Sequence, residues 1–109
     1  MVRLLLATAM SVALIGSTQA ATYTYLCRDH NKTYPVVLDT GSKDDCDGET
    51  APCTIKWRGT TFRNVKTGEG CRADYIATDN GVKVDLCTAT QGVADLTIGN
   101  AKFDCQMRR

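Results

Sequence analysis

The chain has 109 residues, with thirteen Lys and Arg against twelve Asp and Glu, one histidine and six cysteines. With a charge this balanced and no basic stripe, nothing is available to neutralise phosphates, so nucleic acid and an anionic membrane surface are excluded as expected partners. A chain this short forms one domain with a thin core, burying only about 60–65% of its unfolded surface.

Residues 1–20 have the three parts of a secretory signal peptide. Arg3 is the positive region, Leu4 to Ile15 are apolar but too short for a bilayer span, and Gly16 to Ala20 are small residues before a cleavage site. No cysteine follows directly for acylation, since Cys27 comes seven residues after Ala20. The expectation is a soluble protein, periplasmic or secreted, with no membrane insertion after cleavage. Residues 21–109 are then a single domain.

Within that domain, apolar residues recur with a period of two, and no window carries a helical period. Strands are predicted at Thr22 to Cys27, Thr33 to Asp39, Thr54 to Arg58, Thr61 to Val65, Arg72 to Thr78, Val82 to Cys87, Val93 to Ile98 and Ala101 to Cys105. Pro35 suggests an edge position for the second of these. Asn80-Gly81 suits a type I′ turn, whose central residues both need positive φ. A two-residue turn there sets Ala77 opposite Val84 and Tyr75 opposite Leu86. Gly99-Asn100 is a second such turn, setting Leu96 opposite Phe103 and Ala94 opposite Cys105. In both registers the apolar sides coincide, which is the signature of an antiparallel meander. The polar, acidic stretch from Gly41 to Pro52 breaks the alternation and reads as a loop inserted at about 41–53. The predicted fold class is all-β: a small, disulfide-stabilised antiparallel barrel of about eight short strands, or a compact sandwich.

An even set of cysteines in an exported chain reads as a disulfide framework, each bond typically worth about 2–4 kcal/mol. Spacing alone does not choose among the pairings. The expected set is Cys27–Cys105, tying the first strand to the last, Cys46–Cys53, closing a short loop, and Cys71–Cys87. The third carries a difficulty. In the Asn80-Gly81 register, Cys71 falls on the Tyr75 face and Cys87 on the opposite one, so the bond needs a bulge or a Cys71 that lies in the preceding loop.

The residues offer little chemistry for catalysis. His30, three residues after Cys27, lacks a second ligand pair and reads as a surface turn residue. Asp45, Asp47, Gly48 and Glu49 resemble a calcium loop only faintly, with Lys43 where an EF-hand has its first carboxylate. Bonded cysteines cannot act as nucleophiles. Asp74 and Asp85 are close across the hairpin, but both alternate onto the polar face, so a solvated surface is expected rather than a glycosidase pair. No enzyme activity, cofactor or metal site is expected. Trp57, Tyr75 and Phe103 fall on apolar faces and read as core. The loop Thr67-Gly68-Glu69-Gly70-Cys71-Arg72 combines glycines, a staple and a cation, and is the feature best suited to presentation to a partner.

The pattern resembles the periplasmic and membrane-bound inhibitors of c-type lysozyme. These are small exported proteins that form an eight-stranded antiparallel barrel, begin with a Tyr-x-Cys strand and end with a strand holding the partner cysteine. Tyr25-Leu26-Cys27 and Phe103-Asp104-Cys105 are similar to those two ends. Cys71-Arg72-Ala73-Asp74-Tyr75 stands where the family has Ser-Gly-x-x-Tyr, and Gln91-Gly92 where it has Lys-Gly. The resemblance implies a non-enzymatic protein that binds and inhibits a c-type lysozyme by presenting a loop to its cleft. Gly70, Cys71, Arg72, Tyr75, Gln91 and Gly92 are then the partner-binding residues. The family's serine and lysine are Cys71 and Gln91 here, and Arg72 supplies a cation at the next position. The alternative is an envelope binding or structural module with the same fold and no lysozyme inhibition.

Overall fold

The computed structural model describes residues 21–41, 46–49 and 53–108, so the predicted signal peptide and Asp45 lie outside it. Nine strands follow in chain order: β1 Thr22–Asp29, β2 Lys32–Asp39, β3 Thr54–Trp57, β4 Thr60–Arg63, β5 Lys66–Thr67, β6 Ala73–Asp79, β7 Val82–Thr88, β8 Val93–Ile98 and β9 Ala101–Met107. They form one antiparallel sheet in the order β4-β3-β2-β1-β9-β8-β7-β6-β5, curled into a half-barrel. The fold is all-β, as the alternation predicts.

Both predicted hairpin registers are observed. Ala77 faces Val84 and Tyr75 faces Leu86, while Leu96 faces Phe103 and Ala94 faces Cys105. Asn80 and Gly81 have φ of 52° and 79°, the two left-handed residues that a type I′ turn requires. At the other hairpin only Gly99 is left-handed, with φ of 60°, so that turn differs from the first. The edge position suggested by Pro35 is not observed for its strand. β2 lies inside the sheet, but its ladder with β3 begins at Val36, leaving Pro35 with a partner on the β1 side alone.

The core fills the concave side. Leu38, Ile55, Leu86 and Leu96 are fully buried there, each contributing about 1.5–3 kcal/mol relative to exposure. Trp57 on β3 reaches across to Phe103 on β9, with ring centroids 5.1 Å apart, and meets Tyr34 edge-on at 6.2 Å. Tyr75 and Phe103 are half-buried and pack against this cluster, so the three aromatics read as core do line it.

The strand predicted at Thr61 to Val65 is observed as β4, and β5 just beyond it is a further strand that the alternation does not predict. Asn64, at φ 59°, bends the chain after β4, and Val65 is buried at the bend. β4 pairs with β3, while β5 pairs with β6 on the other flank of the sheet. The two flanks are therefore joined covalently through Asn64 and Val65. The described part of the acidic segment is tied to the same place. Thr67 N–H donates to the Cys46 carbonyl at 2.8 Å, and Gly48 N–H to the Val65 carbonyl at 3.1 Å. This covers the outer edge of β5, which would otherwise present unpaired backbone groups.

All six cysteines are paired, as Cys27–Cys105, Cys46–Cys53 and Cys71–Cys87. Three disulfides in so small a domain suit an oxidising, extracellular-type environment. The facing problem at Cys71 is solved in the loop. Cys71 precedes β6 and adopts φ of 60°, which turns its side chain to the face that carries Cys87.

Candidate functional site

Register places every turn of the sheet at one of two ends. The His30-Asn31, Arg58-Gly59, Asn80-Gly81 and Gly99-Asn100 turns share one end. His30 there is an exposed turn residue, its Nδ1 2.8 Å from Asp29 Oδ1. Arg58 Nη1 lies 3.2 Å from Asp29 Oδ2, and its guanidinium sits 3.9 Å over the Tyr34 ring.

The opposite end carries the Gly68 to Arg72 loop and the turn at Thr90–Gly92. One backbone bond ties the loop to the end of β7 that leads into the turn, and a second closes the turn itself. Arg72 N–H donates to the Thr88 carbonyl at 3.0 Å, and Ala89 N–H to the Val93 carbonyl at 2.7 Å. Thr88 is buried between them and donates its hydroxyl to the Ala73 carbonyl at 2.8 Å. Gly70, Cys71, Arg72 and Gln91 are exposed here, and Gly92 is half-buried against Met107. Five of the six residues singled out from sequence are thus brought to one end. Tyr75 is not with them. It lies on the concave face opposite Leu86, near Tyr25. Burial raises the Tyr25 phenol above its ordinary range, and the neighbouring Tyr75 and Tyr23 phenols raise it further.

Beside the Thr90–Gly92 turn, an open groove of roughly 650 Å³ runs over the convex face of β1, β9 and β8. Val93 and Met107 on its margin are 43% and 37% exposed, two of the large apolar side chains left in solvent. Sequence reading passes over both, because each stands at a strand end where alternation carries no signal.

The pair Asp74 and Asp85 corrects an expectation. Both lie on the convex face, Asp74 opposite Cys87 and Asp85 opposite Ile76. Asp74 is nevertheless only 9% exposed, because the Gly68 to Gly70 backbone folds over it. Oδ1 of each carboxyl is sealed from solvent without a hydrogen-bond partner. Burial is the main cause pushing the Asp85 carboxyl up to about 6, aided by its hydrogen bond to Asp74 and by that group's charge, with Lys83 opposing. The direction sets a pH dependence. Between the ordinary value of 3.8 and about 6 the folded chain holds a proton that the unfolded chain has lost. Asp85 therefore contributes stability in full below the ordinary carboxyl range, and this is lost as pH rises through about 6. Part of Asp85 is solvated, so the expected size is about 1 kcal/mol. Urea unfolding of Asp85→Asn should show it as a gain over the parent at pH 7.5 that shrinks towards pH 4.5. Equal differences at both pH values would contradict this reading.

Among the described residues no group of three or more His, Cys, Asp or Glu side chains is placed to hold a metal ion. No protein-family model matches the chain, and neither a curated protein nor a solved structure matches it.

Proposed function

We propose that this is a periplasmic or secreted, non-enzymatic binding protein that docks through its loop-bearing end, and that its partner is a c-type lysozyme whose cleft the loop occupies. The observation that carries the reading is the joining of two elements distant in sequence. The Cys71–Cys87 staple and the Arg72–Thr88 backbone bond hold the Gly70 to Arg72 loop beside the Gln91-Gly92 turn. A loop held in this way loses little entropy on binding. Arg72 offers a cation to the catalytic carboxylates of a glycosidase. Val93 and Met107 add an apolar margin next to it. The order of Tyr25-Leu26-Cys27, the Cys71 loop, Gln91-Gly92 and Cys105 supports the choice of partner by its resemblance to the lysozyme-inhibitor family.

The test is lysis of a cell-wall suspension by a c-type lysozyme in the presence of purified, oxidised protein beginning at Ala21. Inhibition is expected, together with a complex at micromolar concentration. Arg72→Ala should weaken it by about tenfold or more, the usual effect of truncating a central interfacial arginine, and Gln91→Ala by less. Absence of both inhibition and complex would overturn the lysozyme reading. One observation favours a second reading, an envelope binding module with no inhibitory activity. Cys71 is bonded and Gln91 is neutral, so neither supplies the hydroxyl or ammonium that the family uses.

A further inference from the structure

Asp74 and Asp85 take no part in the docking proposed above, and their surroundings are unusual for carboxyls on the convex face of a small barrel. The Gly68 to Gly70 backbone lies directly on Asp74. A Cβ built at Gly68 would stand 2.7 Å from Asp74 Oδ2, and one at Gly70 3.2 Å from the same atom. Gly68 N–H also donates to the Asp74 carbonyl at 2.8 Å. At the far side of the loop Cys71 is bonded to Cys87, which stands opposite Asp74 and two residues from Asp85. Loop, disulfide and the two strands together enclose Asp74, with Asp85 half-buried beside it, and Oδ1 of each carboxyl has neither solvent nor a partner.

Two ionised carboxylates cannot be held in such an enclosure without a large desolvation and repulsion cost. One shared proton removes that cost, because a protonated Asp85 donates to the Asp74 carboxylate. A hard divalent cation would be the other solution, but calcium takes six to eight oxygens. No third acidic, histidine or cysteine side chain is placed to complete such a set among the described residues. The charged groups nearest the pair are mixed. Lys83 lies two residues from Asp85 on β7, and Lys66 stands opposite Ile76 on β5. Asp95 stands opposite Cys87 on β8, where the residue opposite Asp85 is the uncharged Thr97. Glu69 and Arg72 are on the loop itself. Lys83 favours the ionised form of Asp85, but burial and Asp74 outweigh it.

If both carboxyls ionise, water must reach the buried Asp74. β6 and β7 cannot separate easily, since they are paired from Ala73–Thr88 to Asp79–Val82. Cys71 is anchored by its disulfide. The segment free to move is Gly68 to Gly70. We propose that Asp74 and Asp85 share one proton that latches the Gly68 to Arg72 loop over β6 and β7, and that loss of this proton releases the Gly68 to Gly70 lid. The latch is a property of the loop and holds whether or not the partner is a lysozyme. In mild acid the Gly68 to Gly70 lid is shut, and near neutrality it is open, while Cys71 and Arg72 stay anchored to β7.

Amide hydrogen exchange of the oxidised protein, followed by NMR, tests this directly. Protection of the Gly68 amide should fall by about tenfold between pH 5 and pH 7.5, the change expected from roughly one unit of coupling, with a midpoint near 6. In Asp85→Asn the amide side chain donates to Asp74 at every pH, so protection should stay high and flat. Flat protection in the parent, or the same fall in the variant, would overturn the latch. Carboxyl carbon shifts of the unmutated protein give a second readout that does not depend on the variant folding. Asp85 should titrate near 6, and a titration of Asp85 in the ordinary carboxyl range would sink the proposal. Calcium chloride that restores protection at pH 7.5 would also overturn it, in favour of a cation site.

Discussion

Replacing Cys27 and Cys105 together with alanine is expected to destabilise the protein more than removal of either other disulfide. The bond joins β1 to β9, where the two residues stand directly opposite, and closes a sequence separation of 78 residues. The separations for Cys71–Cys87 and Cys46–Cys53 are 16 and 7. Loop-closure entropy then ranks the three at about 4.5, 3.1 and 2.4 kcal/mol. The first also loses packing, since Cys27 and Cys105 are both buried in the core. Against a typical stability of about 5–15 kcal/mol, this is a fall in Tm of about 20 °C or more. Thermal unfolding of the three double-alanine variants checks the ranking. A Cys46/Cys53 variant less stable than the Cys27/Cys105 variant would show that the acidic segment matters more than chain closure.

Trp57→Ala should produce the second large effect. Trp57 is buried on the short strand β3 and touches Phe103 on β9 and Tyr34 on β2. It thus links β3 to β9, which do not pair with each other, and is expected to help hold the curl of the sheet. Truncation of a buried tryptophan costs about 3–5 kcal/mol, through lost transfer energy and a residual cavity. A fall in Tm of about 15 °C or more follows, to be measured by circular dichroism because the chain's one tryptophan is removed. Trp57→Phe should recover more than half of the loss by refilling the gap between Phe103 and Tyr34. A loss below about 1 kcal/mol for Trp57→Ala would mean that the site collapses freely and that the aromatic bridge does not hold the curl.

The parts of the fold that were legible in sequence are those set by neighbours along the chain. Alternation from Ala73 to Thr88 and from Val93 to Met107 decides which side chains face inward. Asn80-Gly81 and Gly99-Asn100 then lock two registers in which the apolar faces coincide. A one-residue slip in either would turn a whole strand inside out. The bend at Asn64 was not legible. Thr61 to Val65 alternates without interruption through the bend, and β5 just beyond it is too short to alternate and is defined only by its pairing with β6.

The candidate site divides the same way. The Gly68 to Arg72 loop announced itself by its glycines and its cysteine. Its neighbour at Gln91-Gly92 was suggested by resemblance, but their proximity depends on the end of β7, where Thr88 accepts from Arg72 N–H just before the chain turns at Thr90–Gly92. Tyr75 illustrates the opposite case. Its alternation already pointed to the core, and the concave face is where it lies.

The sequence by itself determined an all-β chain, its strand faces, two hairpins and the expectation of three disulfides, because pleat, turn chemistry and cysteine number act over a few residues. Tertiary structure alone decided that Asp74, on the solvent side by alternation, is buried and that Asp85 is half-buried beside it. The cover over Asp74 comes from a loop that precedes β6 in the chain and is held by the disulfide between Cys71 and Cys87. Burial is a property of what folds over a residue, and no periodicity records that.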